Sequence, residues 1–220
     1  MSEERISLKF SLARWWAKLR GNEGAEILEF AISLPLLLVV AVGVFDFGSA
    51  FTLKQKLSNV ALQGSRFASN QPTTDLWPPV VPSTCGAAPA SICAVRDVVE
   101  GNLVTSGVND CGLGVATNST PGTHYNPTLA PNPAVALAWY FDAAAGCAGT
   151  LTLTIERGVA YSTTLPSPPF QAGNYTIEGT KVTLSYPYRW QFGRVIPLVA
   201  PGPSYLPSQI NSIAIMQNLN

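Results

Sequence analysis

Sixteen residues, Phe30 to Phe45, pass without a charge, and this run constrains the fold more than any other stretch of the chain. At about 1.5 Å per residue a helix of that length reaches ~24 Å, slightly short of the ~30 Å hydrocarbon core of a bilayer. Continued through Asp46 to Leu53 it holds 24 residues, about 36 Å, enough to span with some tilt. Glu29 and Asp46 then lie about 25 Å apart along the axis, so each can sit near one membrane boundary. At Asp46 two readings stay open: it snorkels into the headgroups, or it makes a buried contact with another helix. Pro35 is compatible with such a helix, because neighbours and side chains in a membrane satisfy the carbonyl it frees.

Charge sets the expected orientation. Arg5, Lys9, Arg14, Lys18 and Arg20 make a basic leader over residues 1–24 that should stay in the cytoplasm. Lys54 and Lys56 on the far side weaken this bias without reversing it. The expected arrangement is a single pass, N-terminus cytoplasmic and C-terminal domain outside the cytoplasm. Trp15 and Trp16 would lie at the interface if the leader rests along the membrane, or would be lost with it on cleavage.

Three fates of this N-terminus are compatible with the residues. It can remain as an uncleaved signal anchor. It can be a secretory signal peptide cut before Phe51, since Gly48 and Ala50 stand in −3/−1 register; Asp46 and Phe47 interrupt that region, and the basic segment is long for such a peptide. Or a cut after Gly24, on the cytoplasmic side of the apolar run, makes Ala25 the new N-terminus and Glu29 the fifth residue of the mature helix.

The residues of this stretch carry a resemblance. Gly24, Glu29 and Phe30, the run AISLPLLLVV with Pro35, then Asp46-Phe47-Gly48 and the polar continuation QKLSNVALQGSRFA resemble the TadE-like family of Flp/Tad pilus assembly. The resemblance covers about a fifth of the chain. It implies a pseudopilin of the bacterial inner membrane, cut by a prepilin peptidase after Gly24, with Phe30 part of the signal. It also implies that Glu29 pairs with the new α-amino group on Ala25 of a neighbouring subunit, alongside other pilins and assembly proteins. A carboxylate at the edge of hydrocarbon gains from such a partner; the other reading of Glu29 leaves it at headgroup level. Larger TadG-like relatives carry a von Willebrand-type domain with a D-x-S-x-S loop, and no such motif occurs here. The tail SQINSIAIMQN is also similar to tails of TadE-like proteins.

After the span, Leu53, Leu57, Val60, Gly64 and Phe67 recur at 4-3-4-3 spacing, one face of an amphipathic helix with Lys54, Lys56 and Arg66 left to solvent. A sheet folded against this seam is the favoured reading, a coiled-coil contact with a partner the other. The helix should end before Pro72. Residues 25–69 therefore read as one membrane-plus-amphipathic helix, and 70–220 as an exported domain.

From Asn70 onward 12 of 151 residues are charged, while 17 of the 18 prolines lie there. Low charge with ample apolar content argues against disorder and for a loop-rich β domain. Residues 71–92 read as a connection, Ala94–Val104 as a short helix weakened by Gly101, and 107–133 as loops. Val135–Phe141, Leu151–Arg157, Tyr175–Ile177 and Val182–Tyr188 read as strands, the last two joined by a turn at Glu178-Gly179-Thr180-Lys181. Ser208–Leu219 has a pattern compatible with a short amphipathic helix. The fold class is α+β: a single N-terminal transmembrane helix continuing as a long amphipathic helix, followed by a small antiparallel β domain of pilin-like arrangement.

Cys85, Cys93, Cys111 and Cys147 all follow the span, and an even number on the exported side points to two disulfides. Of three possible connectivities, proximity favours Cys85–Cys93 with Cys111–Cys147. Their spacing supplies no CxxC pair for a metal. His124 is the sole histidine, in a Gly/Pro/Asn loop, so nucleophilic catalysis would rest on it alone. No GxSxG, HExxH or phosphate-binding loop occurs. Asn118 and Asn174 head glycosylation sequons, a common chance match. Zero net charge gives no nucleic-acid surface. The reading is a structural assembly protein without catalytic residues, cofactor, metal or small-molecule substrate. A membrane-anchored exported binding module with an uncleaved anchor is the alternative.

Overall fold

The computed structural model describes residues 22–76, 85–86, 88–117, 137–165, 173–191 and 207–218. The order of elements is helix α1 (Asn22–Ser69), helix α2 (Ala90–Thr105), a single 3-10 turn (Leu113–Val115), and strands β1 (Leu137–Ala143), β2 (Leu151–Leu165), β3 (Gly173–Pro187) and β4 (Gln209–Gln217). The fold is α+β, with one long N-terminal helix and one four-stranded antiparallel sheet in the order β1-β2-β3-β4. The chain divides into two compact units within α1: one carries the helix as far as Gly48, the other takes it from Ser49 together with α2 and the sheet.

In the second unit, the seam Leu53, Leu57, Val60, Gly64 and Phe67 enters the core. Leu57 and Val60 are buried, and Leu53 and Phe67 pack against them. Gly64 is where the helix comes closest: a Cβ there would stand 2.7 Å from Val99 of α2 and 3.7 Å from Val182 of β3. Ser58 Oγ lies 2.8 Å from Ser212 Oγ of β4, so this half of α1 lies against β3 and β4. The helix stops at Ser69, ahead of Pro72 as expected.

Helix α2 begins four residues before the expected Ala94 and runs through Gly101. Its first turn lacks a capping side chain of its own. The carboxylate of Asp75 substitutes, accepting from the Ser91 N–H (2.9 Å) and the Ser91 hydroxyl (3.0 Å), and so satisfies an orphan donor where the helix dipole is positive. At the other end Gly107, at φ +69°, closes the helix: its N–H donates to Val104 C=O and the Val108 N–H donates to Leu103 C=O, a Schellman pattern. Arg96, buried on α2, places its guanidinium over the ring of Phe141 on β1, 5.9 Å from the ring centroid, and donates to Ala116 C=O and to the Asp97 carboxylate.

The sheet departs from the sequence reading in two places. Glu178-Gly179-Thr180-Lys181 is not a hairpin turn but the middle of the continuous strand β3. Gly179 lies opposite Val159, beside the register shift between Arg157 and Val159, where Gly158 takes φ +77°. The glycines thus mark a bulge, which a strand also accommodates with glycine. Glu156 and Lys181 are register partners and form an ion pair of 2.5 Å. The second correction is Ser208–Leu219, which holds strand β4 rather than a helix. Ser212 is buried on the side toward α1 and Ile213 is exposed, an alternation that suits β-branched residues on a pleated edge. Strand β2 also extends to Leu165, beyond the expected Arg157, and β1 is displaced by two residues toward Ala143.

Two disulfides are present, Cys85–Cys93 and Cys111–Cys147, the pairs that proximity favours. The first holds the segment before α2 to that helix. The second ties the turn after α2 to the β1–β2 connection, where Ala145 N–H also donates to Cys111 C=O at 2.8 Å. Arg157 is 2 % exposed on β2. Its Nη2 donates to Gln71 C=O at 2.9 Å while Nε and Nη1 have no partner. Burial pushes this guanidinium below its ordinary value, with Asp75 pulling the other way.

Candidate membrane and assembly segment

The residues singled out for processing and assembly all lie on α1. Gly24 and Ala25 are in its first turn, followed by Glu29 and Phe30 and, farther on, Asp46. Leu, Val and Phe dominate this half, and the lone helix-breaker, Pro35, is accepted inside it. The Ser33 hydroxyl donates to Phe30 C=O at 3.3 Å in the same turn, whereas the carbonyl that Pro35 frees is that of Ala31.

What sets this half apart is how much of its apolar surface is exposed. Phe30 is 65 % exposed, Leu36 70 %, Leu37 68 % and Phe45 78 %. Apolar area left bare costs about 25 cal/mol per Å² in water, and a contiguous patch this large marks a surface made for lipid or for other proteins. Helix α1 is the one helix among the described residues long and apolar enough to cross a membrane.

Glu29 is exposed, whereas Asp46 is 5 % exposed, although Phe45 and Phe47 on either side of it are open. The two carboxylates stand 17 positions apart in the sequence, about 25 Å on one helix, so they do not form a common site.

No group of three or more His, Cys, Asp or Glu side chains that could hold a metal occurs among the described residues. His124, Asn118, Trp15 and Trp16 lie outside them, and Asn174 falls on β3. An open cleft of about 330 Å³ at one end of the sheet is lined by Gly149, Thr150, Tyr188, Arg189 and Ser208 among others. Its lining offers no paired acid and base. The open edge of β4 is what sequence reasoning misses, because a helical pattern also fits that stretch; the alternation of Ser212 and Ala214 with Ile213 and Ile215 is the available signal.

No curated protein and no solved structure matches the chain. The family model described as TadE-like protein matches residues 24–66, from the glycine in the first turn of α1 to the last turn of its packed half. The chain thus carries a TadE-like segment, and that segment is the helix whose two halves meet such different surroundings.

Proposed function

We propose that this chain is a pseudopilin-type structural component of a Flp/Tad pilus or a related secretion assembly, stored in the bacterial inner membrane and released for assembly by a prepilin peptidase that cuts after Gly24. A TadE-like segment points to a membrane-associated component of pilus assembly, a structural role rather than an enzymatic one. The observation that carries the finer reading is the uncovered apolar half of α1, with the Glu29 carboxylate open at its start. Lipid covers that surface while the subunit is stored; the equivalent helices of neighbouring subunits cover it after assembly. The basic leader keeps the N-terminus in the cytoplasm. The domain that carries both disulfides then folds on the oxidising side.

In this reading the cut leaves a charged amine on Ala25, four residues before Glu29. Within one helix bundle, the amine of one subunit neutralises Glu29 of the next, which removes the cost of a lone carboxylate at the hydrocarbon edge and sets the register of packing. Prepilin peptidase and other pilins are the partners.

Two substitutions separate the steps. Gly24→Ala should abolish a peptidase-dependent size shift in the membrane fraction; a shift that persists removes the cleavage site from this position. Glu29→Ala should still be cut but should drop out of the assembled filament, and normal assembly by that variant would contradict the pairing.

A further inference from the structure

Three contacts fix which end of the sheet α1 enters. The Lys54 ammonium donates to the Asn211 C=O near the start of β4. The Ser58 and Ser212 hydroxyls lie 2.8 Å apart, and a Cβ on Gly64 would stand 3.7 Å from Val182, the register partner of Ala214. Helix and strand therefore run in the same direction, and the Gln209 end of the sheet lies beside the start of the packed half of α1. Gln209 comes two residues before Asn211, about 7 Å along a strand, which equals four to five residues of helix. Counted back from Lys54, that is the level of Ser49 and Ala50, about 5 Å past Asp46, where the boundary of the span is read. The headgroup layer on either side of a bilayer is roughly 5–7 Å deep.

The side chains at this end suit that level. Tyr188 and Trp190 meet edge to face with ring centroids 4.9 Å apart. Trp190 Nε1 donates to Pro207 C=O at 2.6 Å, which holds both rings where β3 ends and β4 begins. Arg189, between them in the chain, is exposed, and its guanidinium has no hydrogen-bond or ion-pair partner among the described residues. It lines the open cleft of about 330 Å³ together with Thr150 and Ser208, both exposed. Phe51, 64 % exposed, stands at the same level of α1. Of the acidic groups at this end, Asp142 accepts the Thr152 hydroxyl at 2.6 Å and Asp110 acts on Tyr186.

We propose that this end of the exported domain rests on the membrane that α1 crosses. Arg189 holds the phosphate of a lipid headgroup at the cleft, and Tyr188 and Trp190 sit in the interfacial layer. Aromatic rings with one polar edge concentrate at that layer, and basic groups there are attracted to anionic lipid. A guanidinium matches a phosphate with two parallel hydrogen bonds. A free anion would find the same guanidinium, but only a lipid brings it to the level where the paired rings stand. The inference rests on the membrane part of the reading above, not on cleavage or pilus assembly.

The test uses the full-length chain in vesicles of phosphatidylethanolamine and phosphatidylglycerol. Its four cysteines are all in disulfides, so an introduced cysteine can carry a fluorophore alone. A label at Gln209→Cys, on the cleft, should be quenched by a spin label on the lipid headgroup. A label at Glu178→Cys, nine residues along β3 from the partner of Gln209 and so about 30 Å away, should not. Arg189→Gln should lower the quenching at Gln209→Cys about twofold or more, as losing one basic group at an anionic surface implies. Equal quenching at the two positions, or quenching untouched by Arg189→Gln, overturns the proposal. Quenching abolished by inorganic phosphate at constant ionic strength overturns it too, since the cleft would then take a free anion. Val44→Cys separates this from failure of the span: its label should be quenched from the acyl chains. No quenching there overturns the membrane reading and the proposal together, whereas quenching there with none at Gln209→Cys overturns the proposal alone.

Discussion

Helix α1 is one element in two environments. Before Gly48 most of its leucines, valines and phenylalanines stand open; after Ser49 Leu57 and Val60 are buried in the core with α2 and the sheet. Leu37 and Leu57 make the contrast sharpest: 68 % exposed in one half, fully buried in the other. Helical propensity does not distinguish them, so what differs is the cover. In the second half the cover is the chain's own sheet, whereas most apolar side chains of the first stand uncovered. A single helix can thus be folded along half its length and waiting for a solvent or a partner along the rest.

That comparison can be pressed with matched substitutions. The largest difference should come from Leu57→Ala against Leu37→Ala in the full chain in micelles, followed by denaturant unfolding of the near-ultraviolet signal of the buried Trp139. Leu57→Ala should cost about 2–5 kcal/mol through lost burial and the cavity left behind, and Leu37→Ala should leave that transition unmoved. Equal effects would erase the distinction between the halves. A smaller difference is expected at the glycines. Gly64→Ala drives a methyl to 2.7 Å from Val99 and should cost about 1–3 kcal/mol as overpacking, partly offset by better helix propensity. Gly43→Ala meets nothing within 4 Å and should not destabilise the domain at all.

The smallest effect concerns the packed half's far neighbour, Tyr186. Burial first, and Asp110 second, raise its hydroxyl above the ordinary tyrosine value. A proton held more tightly in the folded state stabilises fully below the unfolded value of about 10, and this contribution is lost as pH rises through the folded value. Unfolding midpoints should therefore fall above roughly pH 10, and Tyr186→Phe should flatten that decline.

The long helix was legible because two signals agreed with it, an apolar run of membrane length and a 4-3-4-3 seam that continued it. The C-terminal end of α1 was legible from Pro72, while α2, expected from Ala94, starts at Ala90. The sheet was harder, because its key residues use glycine and isoleucine in ways that local pattern reads differently. Glu178-Gly179-Thr180-Lys181 has the composition of a turn, yet Gly179 is the smooth partner of a bulge at Gly158 on another strand. That pairing is between residues some twenty apart in the chain, and no local window contains it. Ile210, Ile213, Ala214 and Met216 fit a helical face; only the neighbour β3 turns them into an edge strand. For the candidate site, Gly24, Glu29 and Phe30 are singled out by a family pattern alone, and the burial of Asp46 within the chain, between two open phenylalanines, has no local signal.

The most direct test of the account is the N-terminal residue of the protein purified from its own membrane fraction. Ala25 is the result expected if the uncovered half of α1 is stored in the membrane and freed for assembly by a cut after Gly24. An intact N-terminus, or one beginning at Phe51, would contradict it, the first by leaving only an anchor and the second by removing the membrane half of the helix from the mature molecule.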